Sequence, residues 1–109
     1  MKVDFKQLGF IHPTLRQILT RIDMIPGTEQ TITSQYRIDH TGVHSTLPLR
    51  GVDLRCRVEE IGEEIAAIIN ELWEYDPDRP EMKCAIVHGE GGNMHLHLQV
   101  HPRTEKRGR

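Results

Sequence analysis

Residues 51–72 read GVDLRCRVEEIGEEIAAIINEL, and the spacing of the apolar positions changes partway along. From Gly51 to Arg57 the period is two: Val52, Leu54 and Cys56 fall on one side, Asp53 and Arg55 on the other. That is the pattern of a strand buried on a single face. From Val58 onward the period becomes helical. Val58, Ile61, Ile65, Ile68, Ile69 and Leu72 form one apolar face over about four turns. Glu59, Glu60, Glu63 and Glu64 crowd the first half, where the helix dipole favours anions. The segment 76–80, DPDRP, is expected to stop this helix.

Downstream, 82–88 (MKCAIVH) reads as a strand, Gly89–Gly92 as a turn, and 94–101 (MHLHLQVH) as a last strand. Upstream, His12-Pro13 opens a first helix with Leu15, Ile18, Leu19 and Ile22 as its stripe, and Pro26-Gly27 ends it. Residues 30–36, QTITSQY, read as a strand, followed by a loop from Arg37 to Arg50. This order predicts an α+β fold: a mainly antiparallel sheet of about four strands with two helices packed on one face.

The 109 residues suggest a single domain, 1–109, with a flexible basic tail at 102–109. A hydrophobic content of 37% and a charged content of 28% fit a globular chain rather than a disordered one. The net charge of −2 gives no basic field to attract nucleic acid. No apolar run is long enough for membrane insertion. The start, MKVDFKQLGF, lacks the apolar stretch of a signal peptide, so synthesis in the cytoplasm is expected. Cys56 and Cys84 fall in predicted strands and read as buried thiols rather than a bridge.

The last strand carries the chemistry. Met94, Leu96, Leu98 and Val100 alternate with His95, His97, Gln99 and His101, which puts three histidines and a glutamine on one face. If both apolar faces pack on the same helices, Asp53 opens onto that side as well. His44, nine residues before Asp53, lies in a loop that could fold back over it. Two imidazoles and one carboxylate form a hydrolytic zinc set, with a fourth position left to water. Such a mix suits Zn²⁺ better than Mg²⁺ or Ca²⁺, which favour oxygen ligands. Trp73 is expected at the core boundary, Arg55 as an ion-pair partner, and His12 and His40 in structural or solvated positions.

The stretch TSQYRIDHTGVHSTLPLRGVDLR, together with His95-Leu96-His97, resembles the D-alanyl-D-alanine carboxypeptidase and hedgehog-like zinc peptidases, which include phage lysis enzymes. Ser34-Gln35-Tyr36-Arg37 matches the S-G-Y-R-like strand end. Arg50-Gly51-Val52-Asp53-Leu54 matches the aspartate end of S-x-H-x-x-G-x-A-x-D. His95-Leu96-His97 matches the closing H-x-H. The resemblance covers about residues 31–101 and implies a hedgehog-like fold with Zn²⁺ on His44, Asp53 and His97. It also implies Arg37 at the substrate carbonyl or oxyanion and His95 as a hydrogen-bonding or proton-transfer group. The substrate implied is a peptidoglycan stem peptide or another small peptide. A phage or prophage product of this kind would reach the cell wall through a phage-made pore. Two positions depart from the family pattern. Thr46 stands where the family places its histidine, so His44 serves from two residues further back. Met94 stands where many relatives carry the catalytic glutamate, which leaves Glu90, His88 and His95 as candidate bases.

Three rival readings stand beside this one. GGNMHLHLQVHP also resembles the histidine-triad nucleotide hydrolases and transferases, in which a histidine, here His95 or His97, attacks phosphorus. A non-catalytic zinc-stabilised binding module accounts for the ligands without a base. A rolling-circle nuclease would use the H-x-H strand with Tyr75 as nucleophile, and the acidic composition argues against its DNA groove.

Overall fold

The structure is a computed structural model and describes residues 11–26, 32–38, 50–89 and 93–107. The order of elements is α1 (Pro13–Asp23), β1 (Ile32–Ile38), β2 (Gly51–Cys56), α2 (Glu59–Leu72), β3 (Trp73–Glu74), β4 (Ala85–His88), β5 (His95–Gln99) and β6 (Glu105–Lys106). Four of the strands form an antiparallel sheet in the order β1-β2-β5-β4, and β3 pairs with β6 separately. The expected α+β class and antiparallel sheet are present.

α1 starts where the sequence predicts. The His12 ring caps it by accepting the Thr14 N–H at 3.1 Å, and Pro13 occupies the first turn. Its four stripe residues, Leu15, Ile18, Leu19 and Ile22, are all buried. α2 turns Ile65, Ala66 and Ile69 into the same core, whereas Val58 at its N-cap is 38% exposed. Gly62 lets α2 approach the sheet: a Cβ there would lie 2.7 Å from Cys56 Sγ and 3.2 Å from a Val87 methyl carbon. The sheet contributes Val52, Leu54, Cys56, Ala85, Leu96 and Leu98 to this core, so both helices cover one face. Cys56 and Cys84 are buried free thiols, and burial pushes Cys84 up to about 11.

Asn70 ties α2 to the outer strand of the sheet. Its Oδ1 accepts the Cys84 and Ala85 N–H groups at 3.1 and 3.0 Å, and its Nδ2 donates to the Ala85 carbonyl at 2.9 Å. Asn70→Ala leaves all three backbone groups without these partners and should destabilise the fold by about 2–4 kcal/mol. The check is the midpoint of urea unfolding; a loss below about 1 kcal/mol would mean that water replaces the amide fully.

Three expectations need correction at the end of α2 and in the tail. The helix ends at Leu72 rather than running on to Tyr75, just before the DPDRP segment. Trp73 opens β3 and is only 3% exposed, so it belongs to the core and not to its boundary. The segment expected as a flexible tail carries β6: Lys106 pairs with Trp73 and lies over its ring, and the Arg107 N–H donates to the Leu72 carbonyl. The indole N–H of Trp73 is buried without a hydrogen-bond partner among the described residues.

The DPDRP segment folds around Asp76, which is 4% exposed. Its carboxylate accepts from the Asp78 N–H at 3.0 Å and Arg79 Nε at 2.9 Å, with Arg103 at 3.8 Å. The Asp78 N–H, aided by Arg79 and Arg103, holds Asp76 below the usual carboxylate range, and desolvation opposes them. Because the folded value is the lower one, the stabilisation is complete above the unfolded carboxylate value of about 3.9 and fades as acid titrates the folded group. Asp76→Asn should therefore be less stable than the parent at neutral pH. The gap between the two urea midpoints should narrow in acid, and a gap independent of pH would contradict this account of Asp76.

No helix among the described residues is long and apolar enough to cross a membrane.

Candidate functional site

The face of the sheet opposite the helices carries the polar members of the alternation. β2 and β5 pair so that Asp53 stands directly opposite His97, with Val52 opposite Leu98 and Leu54 opposite Leu96 on the core side. Burial of these apolar pairs fixes the register, because a slip of one residue would drive Asp53 and His97 into the core. The same register sets His95 opposite Arg55 on β2 and opposite His88 on β4. On the far side of β2, Arg37 of β1 pairs with Asp53. Arg37, Asp53, His97 and Ile86 thus occupy one row across all four strands.

At the centre of the row His97 Nδ1 donates to Asp53 Oδ1 at 2.7 Å. The other ring nitrogen of His97 lies 3.2 Å from Gln99 Oε1. The orientation of Gln99 is set by its amide N–H, which donates to the Lys83 carbonyl at 2.7 Å and leaves the oxygen toward His97. With a proton on each nitrogen, His97 bridges the carboxylate and the amide oxygen. Release of the Nε2 proton breaks the Gln99 bond and frees a lone pair for a cation or an electrophile. Solvent reaches the group, since the Asp53, His95 and His97 side chains are 20%, 21% and 17% exposed.

His95 lies beside this pair, its Nε2 4.0 Å from Asp53 Oδ1. Its Nδ1 faces the Asn93 carbonyl at 3.0 Å, and its Nε2 is 2.9 Å from Nε2 of His88. Partial burial and the neighbouring His95 and His97 imidazoles hold His88 below its ordinary value, while Asp53 pulls the other way.

Of the residues singled out in the sequence, Asp53, His97 and His95 come together, and Arg37 takes the register position next to Asp53. His44, Glu90 and His40 lie outside the described residues. His101 does not share the site: β5 ends at Gln99, and the His101 ring accepts the Arg103 N–H and lies against Tyr75. Gln99 and His88 have larger parts than the sequence suggested. Among the described residues no group of three or more His, Cys, Asp and Glu side chains is set to hold a metal ion. Two of the three donors expected for zinc are adjacent there, bonded to each other, and their nitrogen and oxygen chemistry suits that ion.

Comparison of the chain with known protein families, with curated proteins and with solved structures finds no match in any of the three.

Proposed function

We propose that this chain is a zinc-dependent peptidase acting on the stem peptides of peptidoglycan, of the small hedgehog and D-alanyl-D-alanine carboxypeptidase type. The observation that carries the reading is the row formed by Arg37, Asp53 and His97, with His95 beside it. Three of the residues that the resemblance assigns to chemistry, Asp53, His95 and His97, lie close together, and Arg37 has the register position next to Asp53. Asp53 and His97 hold the metal in this reading, with His44 as the third ligand. Bound zinc supplies a water acidic enough to ionise near neutral pH and a Lewis acid for the carbonyl. Arg37, one register position from Asp53, binds the carbonyl oxygen and the charge that develops on it. His95 is kept in one orientation by the Asn93 carbonyl and transfers a proton to the leaving amine, with Glu90 as the alternative acid. A phage or prophage origin and release to the cell wall through a pore follow from the same reading.

A second reading has one observation in its favour. The 2.7 Å bond between Asp53 and His97 is the carboxylate–imidazole arrangement that orients a histidine for metal-free base or nucleophile work. Phosphoanhydride cleavage of the histidine-triad kind would use it. The deciding experiment incubates the purified chain with short stem peptides and, separately, with dinucleoside polyphosphates. Chelator-sensitive peptide cleavage is expected. Chelator-insensitive phosphoanhydride cleavage, lost in His97→Ala, would replace the peptidase reading. Tightly held zinc with neither activity would point to a binding module.

A further inference from the structure

The His12 ring holds the first turn of α1, and it can do so in one protonation state only. Its Nδ1 accepts the Thr14 N–H at 3.1 Å, which requires a lone pair on Nδ1 and leaves the ring proton on Nε2. The common N-caps, Ser, Thr, Asn and Asp, keep an acceptor oxygen throughout the neutral range. Imidazole instead takes up a second proton within that range. The surroundings of the ring favour its neutral form. Burial, then Arg50, then Arg16 hold His12 below its ordinary value. Arg16 stands one turn along α1, where its N–H donates to the His12 carbonyl at 3.0 Å, and Arg50 comes from the position before β2. Among the described residues no carboxylate bonds to the ring. The unpaired N–H groups of the helix start add a further positive pole.

We propose that α1 carries a pH-sensitive cap: protonation of His12 on Nδ1 removes the acceptor of the Thr14 N–H and releases the first turn of the helix. The second proton replaces the lone pair with an N–H aimed at the Thr14 N–H, so two donors face each other. The imidazolium also places a charge at the positive end of the helix, beside two guanidinium groups. The turn so released belongs to the cover of the core. Ile11 and Leu15, on either side of the cap, are 1% and 0% exposed, and the stripe continues through Ile18, Leu19 and Ile22. Because the folded value is the lower one, the cap contributes fully above the unfolded histidine value of about 6.5. The contribution is lost as pH falls through the folded value. Asp76 titrates further into acid, below about 3.9, so mild acid acts on the cap and leaves the Asp76 turn intact. The cap lies on the helix-covered face of the sheet, away from the Asp53–His97 row, and does not depend on the peptidase reading.

The test follows the full chain by nuclear magnetic resonance from about pH 8 to about pH 5. The Thr14 amide signal should move together with the His12 ring, with one midpoint below about 6.5. Protection of the Thr14 and Leu15 amides against hydrogen exchange, corrected for the intrinsic effect of pH, should fall about five-fold or more across that midpoint, the scale of one lost N-cap. His12→Asn supplies a cap that does not titrate, so its protection at these amides should stay constant over the same range. The other histidines are common to both proteins and cancel in the comparison. A Thr14 amide that ignores the His12 titration, or a His12 midpoint at or above about 6.5, would overturn the proposal, and neither measurement needs a variant to fold. Equal loss of protection in the parent and His12→Asn would overturn it as well.

Discussion

Arg37→Ala is expected to slow stem-peptide hydrolysis about 10²–10³-fold while leaving the zinc content unchanged, the usual effect of losing one donor to a developing oxyanion. Arg37, on β1, pairs with Asp53 of β2 and so stands at the end of the row, one strand from the Asp53–His97 bond, without being one of the proposed ligands. An interaction that strengthens as charge develops lowers kcat when it is removed, and leaves KM less affected. Arg37→Lys should recover part of the rate, since a point charge replaces some of the attraction but not the fork of donors. Loss of zinc from Arg37→Ala would show instead that the residue supports the metal, and unchanged turnover would remove it from the reaction.

Asp53→Ala should have a larger effect still, taking bound zinc from one ion per chain to near none, with hydrolysis lost in parallel. Among the three proposed ligands Asp53 is the carboxylate. It is also the group that bonds His97 Nδ1 at 2.7 Å, so one substitution removes a ligand and the orientation of a second. Elemental analysis of protein purified without chelator is the measurement, and equal zinc in parent and variant would end the metal assignment. Asp53→Asn separates the two contributions. It keeps an oxygen near His97 at similar volume while removing the charge, and should retain more zinc than alanine does.

What the sequence made legible follows from period. The stripe of α1 and the alternation of β2 and β5 were readable because burial on one face leaves a mark at every second or every third and fourth position. That Asp53 and His97 share a face was readable for the same reason. Their placement directly opposite each other was not, because register depends on which apolar pairs meet across two strands. β3 and β6 have two residues each, too few to show a period, so Trp73 was read as a boundary residue and its partner strand as a loose tail. Asn70 sits within a helix and acts on a strand 14–15 residues away, a separation that no local pattern encodes. The part of His88 depends on a hairpin pairing and on the Asn93 carbonyl, and neither is visible as a motif.

The Asn70 amide also bears on how this chain behaves among its own copies. β4 is the last strand of its sheet, and the outer border of such a sheet is where another copy can add a strand and begin a polymer. At Ala85 that border is already taken: one side chain accepts from the N–H and donates to the C=O, as a residue of a fifth strand would. At Ala85 Asn70 thus puts a single amide in the place that a neighbouring chain would take.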